Sequence, residues 1–186
     1  MIDGHSHMLM GTEKRGTRRQ KVEDLVEVDL DVLFQKMDEI GLERIVSFVQ
    51  ETMRVWRNWT GTNEMIVDLQ EKFPDWFLGV FGAEPLDEND ALNETRLEEL
   101  KTAARDHGIK GWFFGPPYSR IYANDKRIYP FYEAAVEHDV MVCYHHGGGV
   151  GGGGGSAYMV PMKYARPILL DDVVIDFPDL MVYSEG

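Results

Sequence analysis

Residues 97–114 read LEELKTAARDHGIKGWFF, and the architecture can be worked out from them. Leu97, Leu100, Ala103 and Ala104 recur at helical spacing, Gly108 supplies a stop, and an apolar, aromatic run follows at once. Helix, glycine, buried strand is one step of a repeating β/α chain. The pattern continues in both directions. Upstream, DLDVLFQKMDEIG (29–41) leads into RIVSFV (44–49), and NEMIVDLQEKF (63–73) leads into WFLGVFGAEP (76–85). Downstream, YPFYEAAVEHD (129–139) delivers VMVCYHH (140–146), and RPILLDDVVIDF (166–177) delivers LMVYSEG (180–186). With MIDGHSHM (1–8) as the first strand, six strands alternate with helices, which implies parallel pairing through right-handed crossovers.

Two architectures satisfy that alternation, a doubly wound sheet and a (β/α) barrel. No glycine-rich G-x-G-x-x-G turn follows the first strand, so the α/β chain is read as a TIM-type (β/α) barrel, a single domain over residues 1–186. A full barrel has eight strands and about 250 residues. The expectation is therefore a barrel truncated after strand six, with open edges that invite a homo-oligomer.

Composition narrows the partners. Nineteen Lys and Arg stand against 32 Asp and Glu, a net charge of −13, which opposes binding to nucleic acid or an anionic membrane and favours a small-molecule partner. The single cysteine, Cys143, excludes an intrachain disulfide, and no run reads as a leader or a membrane span, so the expected location is the cytoplasm. The basic cluster EKRGTRRQK (13–21) reads as a solvated loop in preference to an anion-holding flap. Eight glycines among residues 147–155 read as a surface loop or linker, since the Lys and Ser or Thr of a phosphate loop are missing.

Chemistry concentrates in the histidines. His5 and His7, two apart in a strand, project from one face, and His145 and His146 close the fifth strand. In a barrel, the C-terminal strand ends converge on the active site, where neutral imidazoles suit zinc, iron or manganese. His107 and His138 lie near helix ends and are read as structural.

The succession IDGHSH, LDVLFQKMDEIGLERIVSFV, HGIKGWFF, NDKRIYPFYEAAVEHDVMVCYHHGG and ARPILLDDVVIDFPDLMVYSEG resembles the amidohydrolase-2 branch of the amidohydrolase superfamily, which includes the aminocarboxymuconate-semialdehyde and resorcylate decarboxylases. The resemblance implies a distorted (β/α)₈ barrel with one catalytic divalent metal, zinc first and manganese second. By motif position His5 and His7 match the first-strand ligands and His145 the strand-five ligand. Where much of the family ends strand six in a histidine, this chain holds Glu185, and the family's strand-eight aspartate has no counterpart in the residues given.

The resemblance implies metal-dependent hydrolysis or nonoxidative decarboxylation of a small, often aromatic, carboxylic acid, with Glu185 or His146 moving the proton. Arg166 is the candidate for pairing with a substrate carboxylate, against a surface arginine at a helix start. Trp112 is the candidate aromatic wall, against the core role usual for aromatics inside strands. Lys110 is misplaced for a metal-bridging carboxylated lysine, so a mononuclear site is expected. The competing readings are a non-catalytic metal- or ligand-binding fragment of such a barrel and, more weakly, a sugar-phosphate barrel enzyme.

Overall fold

The computed structural model describes residues 1–6, 29–51, 59–146 and 161–185, without the side chains of residues 59, 60 and 185. His7, the basic cluster and the glycine run therefore lie outside the described residues. In chain order the elements are β1 (Ile2–Ser6), α1 (Leu30–Ile40), β2 (Arg44–Phe48), the short β3 (Gln50–Glu51) and β4 (Trp59–Thr60), α2 (Asn63–Lys72), β5 (Phe77–Gly82), α3 (Glu94–His107), β6 (Gly111–Phe114), α4 (Pro116–Ser119), α5 (Tyr129–Glu137), β7 (Met141–His145), α6 (Leu170–Asp176) and β8 (Val182–Glu185). Among the described residues, six strands form one sheet in the order β1-β2-β5-β6-β7-β8, every pairing parallel, while β3 and β4 make a separate antiparallel pair. That is the six-stranded half-barrel the alternation predicts.

Local chemistry sets the helix ends. Asp29 accepts a hydrogen bond from the Val32 amide at the start of α1, and Gly41, at φ +67°, turns the chain out of the helix. Asn93 caps α3 through the Arg96 amide, and Gly108 ends it at φ +68°. α3 begins at Glu94, three residues before the apolar positions reveal it, because its first turn is polar and solvent-facing.

Two apolar layers follow from strand alternation. The larger lies between sheet and helices and includes Leu100, Ile109, Trp112, Phe114, Phe131, Tyr132, Val142 and Tyr144. The smaller, Phe48, Val80, Phe113 and Cys143, occupies the other face of β2, β5, β6 and β7, which is the barrel interior. A Cβ added to Gly4 of β1 would stand 3.5 Å from the hydroxyl of Tyr183 in β8, so the sheet curls until its two outer strands face each other across one tyrosine.

The outer layer also sets an alkaline limit on stability. Tyr132 and Tyr144 are fully buried, and burial pushes the Tyr144 phenol up to about 12 and that of Tyr132 well above its ordinary value. Above roughly pH 10 the unfolded chain releases these protons while the folded chain keeps them. Stability therefore falls as pH rises through that window, by about 2–3 kcal/mol for Tyr144 alone. Among the described residues the Tyr144 hydroxyl has no hydrogen-bond partner, so Tyr144→Phe should cost little at pH 7 and flatten the decline. Urea midpoints of both proteins at about pH 8 and pH 11 check this; parallel declines would contradict it.

Candidate active site at the strand ends

A bulge in β1 aims the first histidine. Asp3 pairs with Ile45 and Ser6 with Ser47, so β1 carries one extra residue between them. The Asp3 carboxylate causes it by accepting the His5 amide at 3.2 Å, a local turn that competes with the ladder. His5 then lies flat on Phe48, ring centres 4.3 Å apart and planes 18° apart. Phe48 belongs to the interior layer, so His5 faces the barrel interior.

His145, the last residue of β7, reaches the same face. Its ring is 6.5 Å from that of His5 and 5.8 Å from that of Phe113, the interior aromatic of β6. Metal–nitrogen bonds of about 2.0–2.1 Å put each ring centre roughly 3 Å from an ion, so two imidazoles sharing one have centres roughly 5–6.5 Å apart. The pair fits at the wide end of that range. Below them, Phe48, Val80, Phe113 and Cys143 form a dry floor. Among the described residues no cluster of three or more His, Cys, Asp or Glu side chains stands ready for a metal, so the described donors amount to a two-histidine half-site.

The other expected residues divide. Glu185 pairs with His145 across the β7–β8 ladder, which brings its backbone to the same strand-end level. His146 belongs with the opposite face: its Nδ1 lies 3.0 Å from Ser184 Oγ, and its ring is 6.1 Å from that of Tyr144 in the outer layer. Arg166 is exposed where the β7–α6 connection meets the short turn Pro167–Leu169. Trp112 needs correction. Rather than lining a pocket, it is 0% exposed in the outer layer, packed on Phe114, Phe131 and Tyr132, with Nε1 donating to the Ala83 carbonyl at 3.0 Å. Phe113, its neighbour, is the β6 aromatic that faces the histidines. Lys110 sits before β6, paired with Asp139 at 3.1 Å on the surface, away from the strand ends. His107 closes α3 with its Nδ1 2.5 Å from a Glu71 carboxylate oxygen, and His138 caps α5.

Two residues of the site carry no periodic signal. Tyr118, in the one-turn α4, stacks on His145 with ring centres 5.4 Å apart, and its hydroxyl lies 3.4 Å from Nε2. Glu84, buried just beyond β5, accepts a hydrogen bond from Ser119 of the same turn at 3.1 Å. The Gly-Pro-Pro run at the end of β6 marks a turn at the barrel's functional rim, the one cue that leads to Tyr118.

Comparison with known proteins agrees with this geometry. The family model described as amidohydrolase, of the amidohydrolase-2 type, matches residues 2–185. No curated protein matches the chain. Among solved structures, an uncharacterised TIM-barrel protein from Bordetella bronchiseptica is similar at 23% identity and TM-score 0.62, over 84% of this chain and 50% of that one. A 2,6-dihydroxybenzoate decarboxylase from Rhizobium is similar at 14% identity and TM-score 0.63, over 98% and 65%. A 5-carboxyvanillate decarboxylase from Novosphingobium aromaticivorans, crystallised with manganese and 3-methoxy-4-hydroxy-5-nitrobenzoic acid, is similar at 15% identity and TM-score 0.63, over 98% and 64%. The chain thus spans 50% to 65% of the length of these structures, and at such identities they establish the fold. With the parallel half-barrel, the strand-end histidines and a family match running from β1 to β8, the chain belongs to the amidohydrolase family, in its amidohydrolase-2 branch.

Proposed function

We propose that this half-barrel holds the metal of a hydrolase or nonoxidative decarboxylase that acts on a small aromatic carboxylic acid. One observation carries the reading: His5 and His145, from the first and fifth strands of the half-barrel, meet on its inner face above an apolar floor. His5, His7 and His145 are the proposed ligands of one divalent cation, zinc or manganese. When bound, the ion supplies Lewis-acid polarisation of a substrate oxygen or acidifies a water. The Phe48 and Phe113 rings keep the approach to the histidines dry and suit the flat face of an aromatic acid. Glu185, across the ladder from His145, is the proposed proton carrier in preference to His146, whose Nδ1 already meets Ser184. Arg166 is the proposed partner of the substrate carboxylate. The manganese-bound carboxyvanillate decarboxylase and the dihydroxybenzoate decarboxylase support this substrate class.

The test is metal analysis followed by turnover. Purified protein is expected to hold about one equivalent of zinc or manganese, or to take it up on titration. Loaded protein is then offered hydroxylated benzoates, following carbon dioxide release, and lactones or amides of similar acids, following hydrolysis. Absence of metal uptake would overturn the metal reading. Uptake without turnover of either set would favour a binding role over an enzyme.

A further inference from the structure

Among the described residues β1 is an outer strand of the sheet, paired with β2. A slip of one residue in such a pairing turns every side chain to the opposite face, so register decides where the first histidine points. Along β2, Ile45 lies with Met37 and Phe77 on the helix side, while Val46 and Phe48 pack on the barrel interior. Asp3 pairs with Ile45 and so shares the helix side. In an unbroken strand His5, two residues on, would follow it there. Yet His5 stacks on Phe48 in the interior, because Ser6 pairs with Ser47 and one extra residue stands between the two pairings. The bulge is held on both sides. Before it, the Glu43 amide donates to the Met1 carbonyl at 2.7 Å; after it, the Ser6 hydroxyl donates to the Val46 carbonyl at 3.1 Å. Across it, the His5 amide donates to Asp3 Oδ1 at 3.2 Å.

We propose that Asp3 is a positioning residue for His5: its carboxylate, by accepting the His5 amide, stores the extra residue in β1 and so turns the imidazole from the helix side to the interior. An aspartate that bonds its own backbone two residues on gives the chain a local alternative to the ladder, and here that alternative sets the parity of the strand. Without the acceptor the ladder regularises by one residue. Gly4 then stands opposite Val46 and His5 opposite Ser47, and the ring leaves the interior. The role needs an acceptor oxygen and no charge. The proposal rests on His5 being a metal ligand, as proposed above, but its first readout does not.

That readout is the ring-current shift that Phe48 imposes on the His5 ring protons, measured by NMR on histidine-labelled protein before metal is added. The wild-type His5 signal is expected upfield of its position in Phe48→Leu. Asp3→Ala should move it to the Phe48→Leu position. Titration with cobalt as the metal probe should then give a dissociation constant about 10–100-fold weaker in Asp3→Ala than in wild type. Asp3→Asn keeps the acceptor oxygen and should restore both the upfield signal and the affinity. Deleting Gly4 from Asp3→Ala removes the extra residue, sets His5 opposite Val46 without a bulge, and should also bring the upfield signal back. An Asp3→Ala protein whose His5 signal is unmoved overturns the proposal. So does a Gly4 deletion that leaves the ring displaced, or an Asp3→Asn protein that loses cobalt as Asp3→Ala does, which would assign the carboxylate's charge to the ion. If wild-type protein takes up no cobalt while the His5 signal follows the expected order, the ligand reading fails and the control of register by Asp3 stands.

Discussion

His145→Ala is expected to weaken binding of the proposed cation by more than about 100-fold, beyond the effect usual for losing an outer partner of a ligand. His5→Ala should do the same. The expectation comes from the small number of donors. His5 and His145 stand on strands separated by three others in the sheet, and their rings are already 6.5 Å apart, the wide end of what one ion can bridge. The rings that pack against the two histidines, Phe48 and Phe113, offer a dication no lone pair in their place. Both histidines are partly exposed strand-end residues over a floor that the substitution does not open, so the melt should move little. Elemental analysis and calorimetric titration with zinc and manganese check the loss. Glu185→Gln is the informative companion: if this carboxylate moves the proton, metal stays and turnover drops by about 10²–10⁴. A His145→Ala protein that keeps its metal would place the site elsewhere.

The order of strands and helices was legible because apolar positions recur at helical spacing, Gly41 and Gly108 stop two of the helices, and the apolar runs that follow are strand-length. The His5/His145 pairing was legible from the same order, since parallel strands bring all C-terminal ends to one rim. The bulge in β1 was not. It depends on the Asp3 carboxylate reaching its own chain two residues on, which a period-two reading of IDGHS ignores. Tyr118 was hidden for a different reason. α4 is a single turn, too short for a helical period, and its importance comes from a stacking contact 27 residues away in sequence. Glu84 likewise has no local signature; its meaning lies in Ser119, 35 residues downstream.

Trp112 shows where periodicity runs out. GWFF is buried at all four positions, so both faces of β6 carry large apolar groups and neither announces itself as inward. The register resolves it: Phe113 pairs with Cys143, two residues before His145, so Phe113 shares the histidine face and Trp112 takes the other. Trp112→Ala should therefore be a stability variant. It removes the largest fully buried side chain among the described residues and leaves the Ala83 carbonyl without its indole donor. A deletion of that size costs about 3–5 kcal/mol, and the stranded acceptor about 1–3 more. Against the 5–15 kcal/mol that holds a typical domain together, the variant should melt about 10–20 °C lower or fail to accumulate as soluble protein. Trp112→Phe refills most of the space and should recover most of that loss while leaving metal affinity at the wild-type value. If Trp112 instead faced substrate, alanine would leave the melt in place and raise KM, and a calorimetric scan beside a substrate titration separates the two outcomes.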